Sequence, residues 1–244
     1  VYSSDTDLTP YDTGAYASST TYVSGNSVRI AAEKMKQAII DKAKAFFGVD
    51  HVEFDGKMLK AEGHELTLKA FSTKIYYSEH QEQLITHGSF VGEVSPPPYM
   101  AAACEVEIDL RTGHIQVVDY HAVVDCGTPI NPNLARIQVE GALLQGIGMA
   151  LYEEAKYLEN GHLYNNSFLT YKIPTRMDVG PLHVSFAESY EPTGPFGAKS
   201  VAEIGIDTPP AAIANAIFNA TGVRIRKLPI KSEDLWMMLQ KQKA

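Results

Sequence analysis

The sequence predicts an α+β fold, with mixed or antiparallel sheets packed by helices, and three features of its 244 residues carry that expectation. After Pro96, Pro97 and Pro98 the apolar residues switch to a period of two. Cys104, Val106 and Ile108 take one face and Glu105 and Glu107 the other, the pattern of a half-buried strand. Other stretches, after Ser27 and around Ile213, place apolar residues at helical spacing. No GxGxxG follows a predicted strand, which argues against a doubly wound nucleotide fold. With 45% hydrophobic and 20% charged residues, the chain is long enough to bury one or two cores.

Taken in order, residues 1–25 are rich in Ser, Thr, Tyr and Gly without an apolar period, and predict a surface loop of unusual length. A helix follows with Ser27 as N-cap, Val28, Ala31, Ala32, Met35, Ala38, Ile39 and Phe46 on its inner side, and Gly48 as C-terminal cap. Val52-Glu53-Phe54 and Met58-Leu59-Lys60-Ala61 flank Asp55-Gly56, which suits a tight hairpin. A short helix is expected over residues 66–77. The three prolines then divide the chain into regions 1–95 and 96–244. Beyond them, the strand through Ile108 continues by a turn at Arg111-Thr112-Gly113 into strands at 114–118 and 122–125, an antiparallel meander. A helix over residues 132–154 contains Gly141, Gly146 and Gly148, costly unless something packs close to the backbone. Strands at 167–173 and 182–187 precede a nearly all-apolar, hence buried, helix that starts near Asp207 or Thr208, with Pro209 and Pro210 in its first turn. A last helix begins after Ser232, with Glu233 and Asp234 in its first turn.

Composition narrows the function. A net charge of −8, a pI near 5.5 and no cluster of Lys and Arg exclude a nucleic-acid surface. No run of 18 apolar residues occurs, so no membrane span is expected, and Val1-Tyr2-Ser3-Ser4-Asp5 lacks the regions of a signal peptide; the expected location is cytoplasmic. Cys104 and Cys126 are too few and too far apart for a metal knuckle or an iron–sulfur cradle, and are expected as small buried residues. The start at Val1, within a polar segment and without an initiator methionine, leads us to expect a processed product, one chain of a split subunit, or a cloned fragment.

Three stretches depart from ordinary core and surface patterns. Gly14-Ala15-Tyr16-Ala17-Ser18-Ser19-Thr20-Thr21 offers small side chains and hydroxyls whose backbone amides could cradle a phosphate or a pterin edge; a flexible Ser/Thr loop is the alternative. In residues 138–150 the glycines permit close approach of a ligand or of another helix, and Gln145 adds a donor and an acceptor. In Phe196-Gly197-Ala198-Lys199-Ser200-Val201-Ala202-Glu203-Ile204-Gly205-Ile206, the apolar setting of Glu203 would desolvate its carboxylate and poise it to take up a proton. Equally, Glu203 could charge the N-terminus of the following helix.

In this order and spacing the stretches resemble the C-terminal third of the molybdenum-bearing subunit of the xanthine dehydrogenase family, a resemblance that covers essentially the whole chain. Asp5-Thr6-Asp7 through Tyr22-Val23-Ser24-Gly25 resembles its cofactor-contacting segment. Ile130-Asn131-Pro132, Glu140-Gly141, Gln145-Gly146 and Gly148 follow its helix, and Gly197-Ala198-Lys199-Ser200-Val201-Ala202-Glu203 is similar to its signature. Ala202 stands where the family more often has glycine, and Ile204-Gly205-Ile206 replaces a proline-containing stretch. The resemblance implies the C-terminal part of a molybdenum-cofactor-binding domain, with region 1–95 contacting cofactor and region 96–244 bearing the active-site glutamate.

The resemblance further implies a molybdenum-pterin cofactor, plain or as the cytosine dinucleotide, and a hydroxylation of an N-heterocycle, purine or nicotinate-like, or of an aldehyde. Glu203 is then the general base that takes the proton of the metal-bound hydroxyl while hydride passes to a sulfido ligand. Ala17, Ser18, Thr20 and Gln145 are the implied cofactor contacts, and no side chain here need ligate the metal. The implied partners are a larger portion of the molybdenum subunit, with 2Fe-2S clusters and FAD on partner chains or domains. The alternative is a non-catalytic scaffold or ligand-binding chain of the same fold.

Overall fold

These patterns resolve, in a computed structural model that describes residues 5–78 and 81–243, into five α-helices and two three-stranded sheets among the described residues. The first four positions of the expected 1–25 loop lie outside the described residues. The chain divides into two compact units, Val1–Gly14 with Ser19–Val94, and Ala15–Ser18 with Ser95–Ala244.

In the first unit, α1 (Thr20–Phe47) starts seven residues before Ser27. The buried stripe begins with Tyr22 and continues through Asn26, which reads as polar in the sequence; its amide is satisfied by donating to the Tyr22 carbonyl at 2.9 Å. Gly48 caps the helix at φ 69°, as expected. The hairpin forms between β1 (Glu53–Phe54) and β2 (Met58–Ala61), where Asp55 Oδ1 accepts the amides of Lys57 and Met58 at 2.8 and 2.7 Å. Leu66 belongs to a third antiparallel strand, β3 (His64–Thr67), so α2 (Leu68–Tyr76) begins two residues later than expected, capped by the Thr67 hydroxyl. Ile39, Ala43, Leu59, Phe71 and Ile75 close this small core.

In the second unit, β4 (Tyr99–Asp109) and β5 (His114–Asp125) pair antiparallel along their length, from Tyr99↔Asp125 to Asp109↔His114. The two strands expected at 114–118 and 122–125 are thus one, interrupted only by a register shift at Glu105/Val106 that absorbs an extra residue. The third strand, β6 (Leu182–Phe186), joins β5 in parallel, so the sheet is mixed rather than an antiparallel meander. No strand forms at 167–173, where Thr170 and Tyr171 turn back to hydrogen-bond the Ser167 carbonyl.

Asn131 caps α3 (Pro132–Leu151) by accepting from the Leu134 amide at 3.1 Å. Next, α4 (Ile204–Thr221) starts three residues earlier than expected, with the Ile206 amide donating to the Glu203 carbonyl at 3.0 Å, and its two prolines fall in the second turn. A final helix, α5, spans Ser232–Lys243. The core joins Val117, Val124, Leu143, Ile147, Ile213, Ile217 and Leu235; each such large side chain contributes about 1.5–3 kcal/mol through burial. Helices α3 and α4 meet at glycines. A Cβ on Gly205 would lie 2.6 Å from Ala142 Cβ, and one on Gly146 2.7 Å from Pro209 Cγ and 2.8 Å from the Ile206 carbonyl oxygen. Gly141 has nothing within 4 Å.

Candidate active site around Glu203

The start of α4 carries Glu203 at its N-cap position, where no cap bond from the glutamate's own side chain forms. Ser18 supplies it instead. The Glu203 amide donates to Ser18 Oγ at 2.8 Å, and Ser18 Oγ donates to Glu203 Oε2 at 2.8 Å, two bonds that join positions 185 residues apart. One hydroxyl therefore satisfies an orphan helix N–H and fixes one carboxylate oxygen. Both residues belong to the second unit, into which Ala15–Ser18 is drawn.

Backbone strain marks the same neighbourhood. Ala17, Ser18 and Phe196 are the positive-φ non-glycine residues among those described, at 48°, 55° and 54°. Each such residue costs about 1–3 kcal/mol and persists where surrounding structure over-determines it. Phe196 lies in the 3-10 turn Pro195–Gly197, which leads into the signature segment.

That segment is tied to the end of β5. The Lys199 amide donates to the Cys126 carbonyl at 2.7 Å and the Thr128 amide to the Gly197 carbonyl at 2.8 Å. The buried Lys199 side chain reaches Asp125 Oδ2 at 2.6 Å and the Pro97 carbonyl at 3.0 Å, 5.2 Å from the Tyr99 ring centroid. Asp125 also accepts from Ser189 Oγ and from the Gly127 amide. Partial burial works to raise the pKa of Asp125, but hydrogen bonds from Lys199, Ser189 and Gly127 outweigh it and hold the carboxyl below its ordinary 3.8. Asp125 and Ser189 escaped sequence reasoning. The available signal was Lys199, a cation in an otherwise apolar stretch that has to find an acid if it is buried.

Desolvation of Glu203, expected from its apolar neighbours, is not met: the side chain is exposed. Val201 and Ile204 turn inward onto the core, leaving Glu203 facing out between them. Of the other expected site residues, Ala17 is exposed beside Ser18 in the left-handed pair, and Gln145 is exposed on α3, one turn from the open Gly141. Thr20 is exposed at the first position of α1 and belongs to the first unit. Ser18 and Glu203 are thus the pair that hydrogen bonds bring together. Cys126 is buried as expected and Cys104 half-buried; burial, with Asp119 and Glu105 nearby, pushes the Cys104 thiol up to about 12 and leaves it inert as a nucleophile.

Residues 1–180 match a family described as a molybdopterin cofactor-binding domain. The chain belongs to that family, and the relatives it matches include molybdenum-binding subunits of the xanthine dehydrogenase type. It is 34% identical over 245 residues to "Probable hypoxanthine oxidase XdhD" of Escherichia coli strain K12, covering 99% of this chain and 26% of that protein. To the xanthine dehydrogenase molybdenum-binding subunit of Escherichia coli O157:H7 it is 33% identical over 240 residues, covering 95% of this chain and 32% of the relative. Among solved structures, quinoline 2-oxidoreductase from Pseudomonas putida 86 matches with a TM-score of 0.83 at 25% identity, over 96% of this chain and 32% of that one. The chain therefore spans between 26% and 32% of the length of these relatives.

Proposed function

We propose that this chain supplies the general base and part of the cofactor cradle of a molybdenum hydroxylase. The enzyme would be an oxidoreductase that places water-derived oxygen on an electron-poor C–H of an N-heterocycle, purine or nicotinate-like, or of an aldehyde. The observation that carries the proposal is the two-bond clasp between Ser18 and Glu203. With Oε2 engaged by the hydroxyl, Oε1 is the atom that accepts the proton, and the exposure of the Glu203 side chain leaves a reactant free to approach.

A molybdenum-pterin cofactor, plain or as the cytosine dinucleotide, would supply the oxygen activation and the two-electron acceptor. The residues present suit such a group. The strained pair Ala17 and Ser18 presents its backbone beside Glu203, Gln145 carries both a donor and an acceptor, and Gly141 leaves bare the helix face from which Gln145 projects. Thr20, an exposed hydroxyl at the start of α1, belongs to the first unit and is a candidate contact by itself. Ser18 would act through its backbone and by positioning Glu203, because the proton of its hydroxyl is already given to the carboxylate.

The boundary between regions 1–95 and 96–244 draws support from the break between the two compact units near residue 95, but Ala17 and Ser18 fall with the second unit, beside Glu203. A larger portion of the molybdenum subunit would complete the substrate pocket, and iron–sulfur and flavin chains or domains would carry the electrons away. Surface for such neighbours is present in Phe168, Leu169 and Met177, which are 98%, 81% and 86% exposed.

The test is Glu203→Gln in the assembled enzyme. Turnover should fall by about a hundredfold or more, with molybdenum content unchanged. A scaffold reading has one observation in its favour, the exposed carboxylate at a helix N-terminus, where the dipole alone would stabilise it. Retained turnover in the variant would establish that reading instead.

A further inference from the structure

Three side chains on the outer face of the β5–β6 pair form a cluster that the proposed reaction does not use. His121 and His183 are Cα partners in the parallel register, and strand spacing of about 4.8 Å sets their rings side by side. The ring centroids lie 4.4 Å apart with the planes 18° from parallel. Asp119 precedes His121 by two residues and so shares its face. Its Oδ2 is 3.1 Å from His121 Nε2, and its Oδ1 is 3.2 Å from His183 Nε2. One ligand atom from each of the three residues falls within 4.8 Å of the others.

We propose that Asp119, His121 and His183 bind a divalent transition ion of the zinc type. Two imidazoles and one carboxylate are a donor set that such borderline ions take, whereas magnesium and calcium prefer oxygen throughout. Zinc–ligand bonds of about 2.0–2.1 Å in a tetrahedron place neighbouring donor atoms about 3.3 Å apart. The two N···O separations are close to that spacing before any ion enters, so small rotations complete the site, and water would take the remaining position. The Tyr120 amide donates to Asp119 Oδ1 at 2.9 Å and orients the carboxylate, as outer groups do around metal ligands. The competing account is a pair of plain ion pairs. Both imidazoles would then have to carry their proton on Nε2 and aim it at one carboxylate, for an exposed interaction of little net worth.

The experiment uses the purified enzyme assembly, washed with a chelator that leaves its molybdenum in place. Zn2+ is titrated against a chromophoric competitor, and Co2+ is followed by its visible absorption. The expected result is one Zn2+ per copy of this chain in the micromolar range or tighter, with the visible bands of four-coordinate cobalt. His121→Ala and His183→Ala should each weaken binding by about tenfold or more, and the double variant should abolish that equivalent. His162→Ala, at an exposed histidine elsewhere, should leave it intact. Thermal unfolding in the absence of zinc checks that the variants fold; if the double variant is destabilised, Asp119→Asn removes a ligand while keeping its shape and is read in its place. The absence of that equivalent in the wild type, or its survival in the ligand variants, overturns the proposal.

Discussion

Because Ser18 Oγ both caps the Glu203 amide and holds Oε2, removing it loosens the proposed base without deleting it. Ser18→Ala in the assembled enzyme should lower kcat by about tenfold to a hundredfold, the worth of a hydrogen bond to a charged group. Molybdenum content should stay constant and KM should change little, which steady-state kinetics with metal analysis will show. Lys199 and Asp125 act on the segment that leads to Glu203. Lys199→Met leaves Asp125 without its counter-ion, bonded only to Ser189 and Gly127, and should cost about 1–3 kcal/mol of stability. The sign of the accompanying pH dependence follows from the lowered pKa of Asp125: the unfolded chain takes up the proton first, near 3.8. The contribution is therefore complete above 3.8 and is lost as pH falls through the lower folded value. In Asp125→Asn, the drop in melting temperature between those two values should be smaller than in the wild type.

Where α3 meets α4, two glycines permit contact that a methyl group would prevent. Gly205→Ala should cost about 1–3 kcal/mol through overpacking. Gly141→Ala, facing open space, should raise helix stability by about 0.5–1 kcal/mol, and comparison of melting temperatures separates the two. The pattern was legible to different depths here. Gly146 could be suspected of close packing, yet nothing in its letter distinguished it from Gly141, because which face of α3 meets α4 depends on partners distant in sequence. The starts of α1 and α4 are hidden in the sequence for related reasons. Buried Asn26 hides the first turns of one stripe, and for the other the cap comes from Ser18 rather than from a residue beside Glu203. The long strands β4 and β5 were legible because alternation is local, whereas the parallel pairing of β6 was not, because pairing direction is tertiary.

At the scale of the molecule, the mixed class of the fold and the residues of the signature segment could be read directly, since both rest on patterns within a few residues. That Ser18 would be the partner of Glu203 could not, because no spacing rule spans 185 positions. The same separation has a bearing on biosynthesis. A ribosome delivers Ser18 before Glu203, and the serine waits while the 185 positions that separate them are added; its counterpart emerges only when most of unit 2 has been translated. Local elements such as the β1–β2 hairpin can form meanwhile, but the clasp closes one of the longest loops in the chain and belongs among the last steps of folding. Cofactor that needs the finished clasp would then be loaded only after Glu203 has left the ribosome.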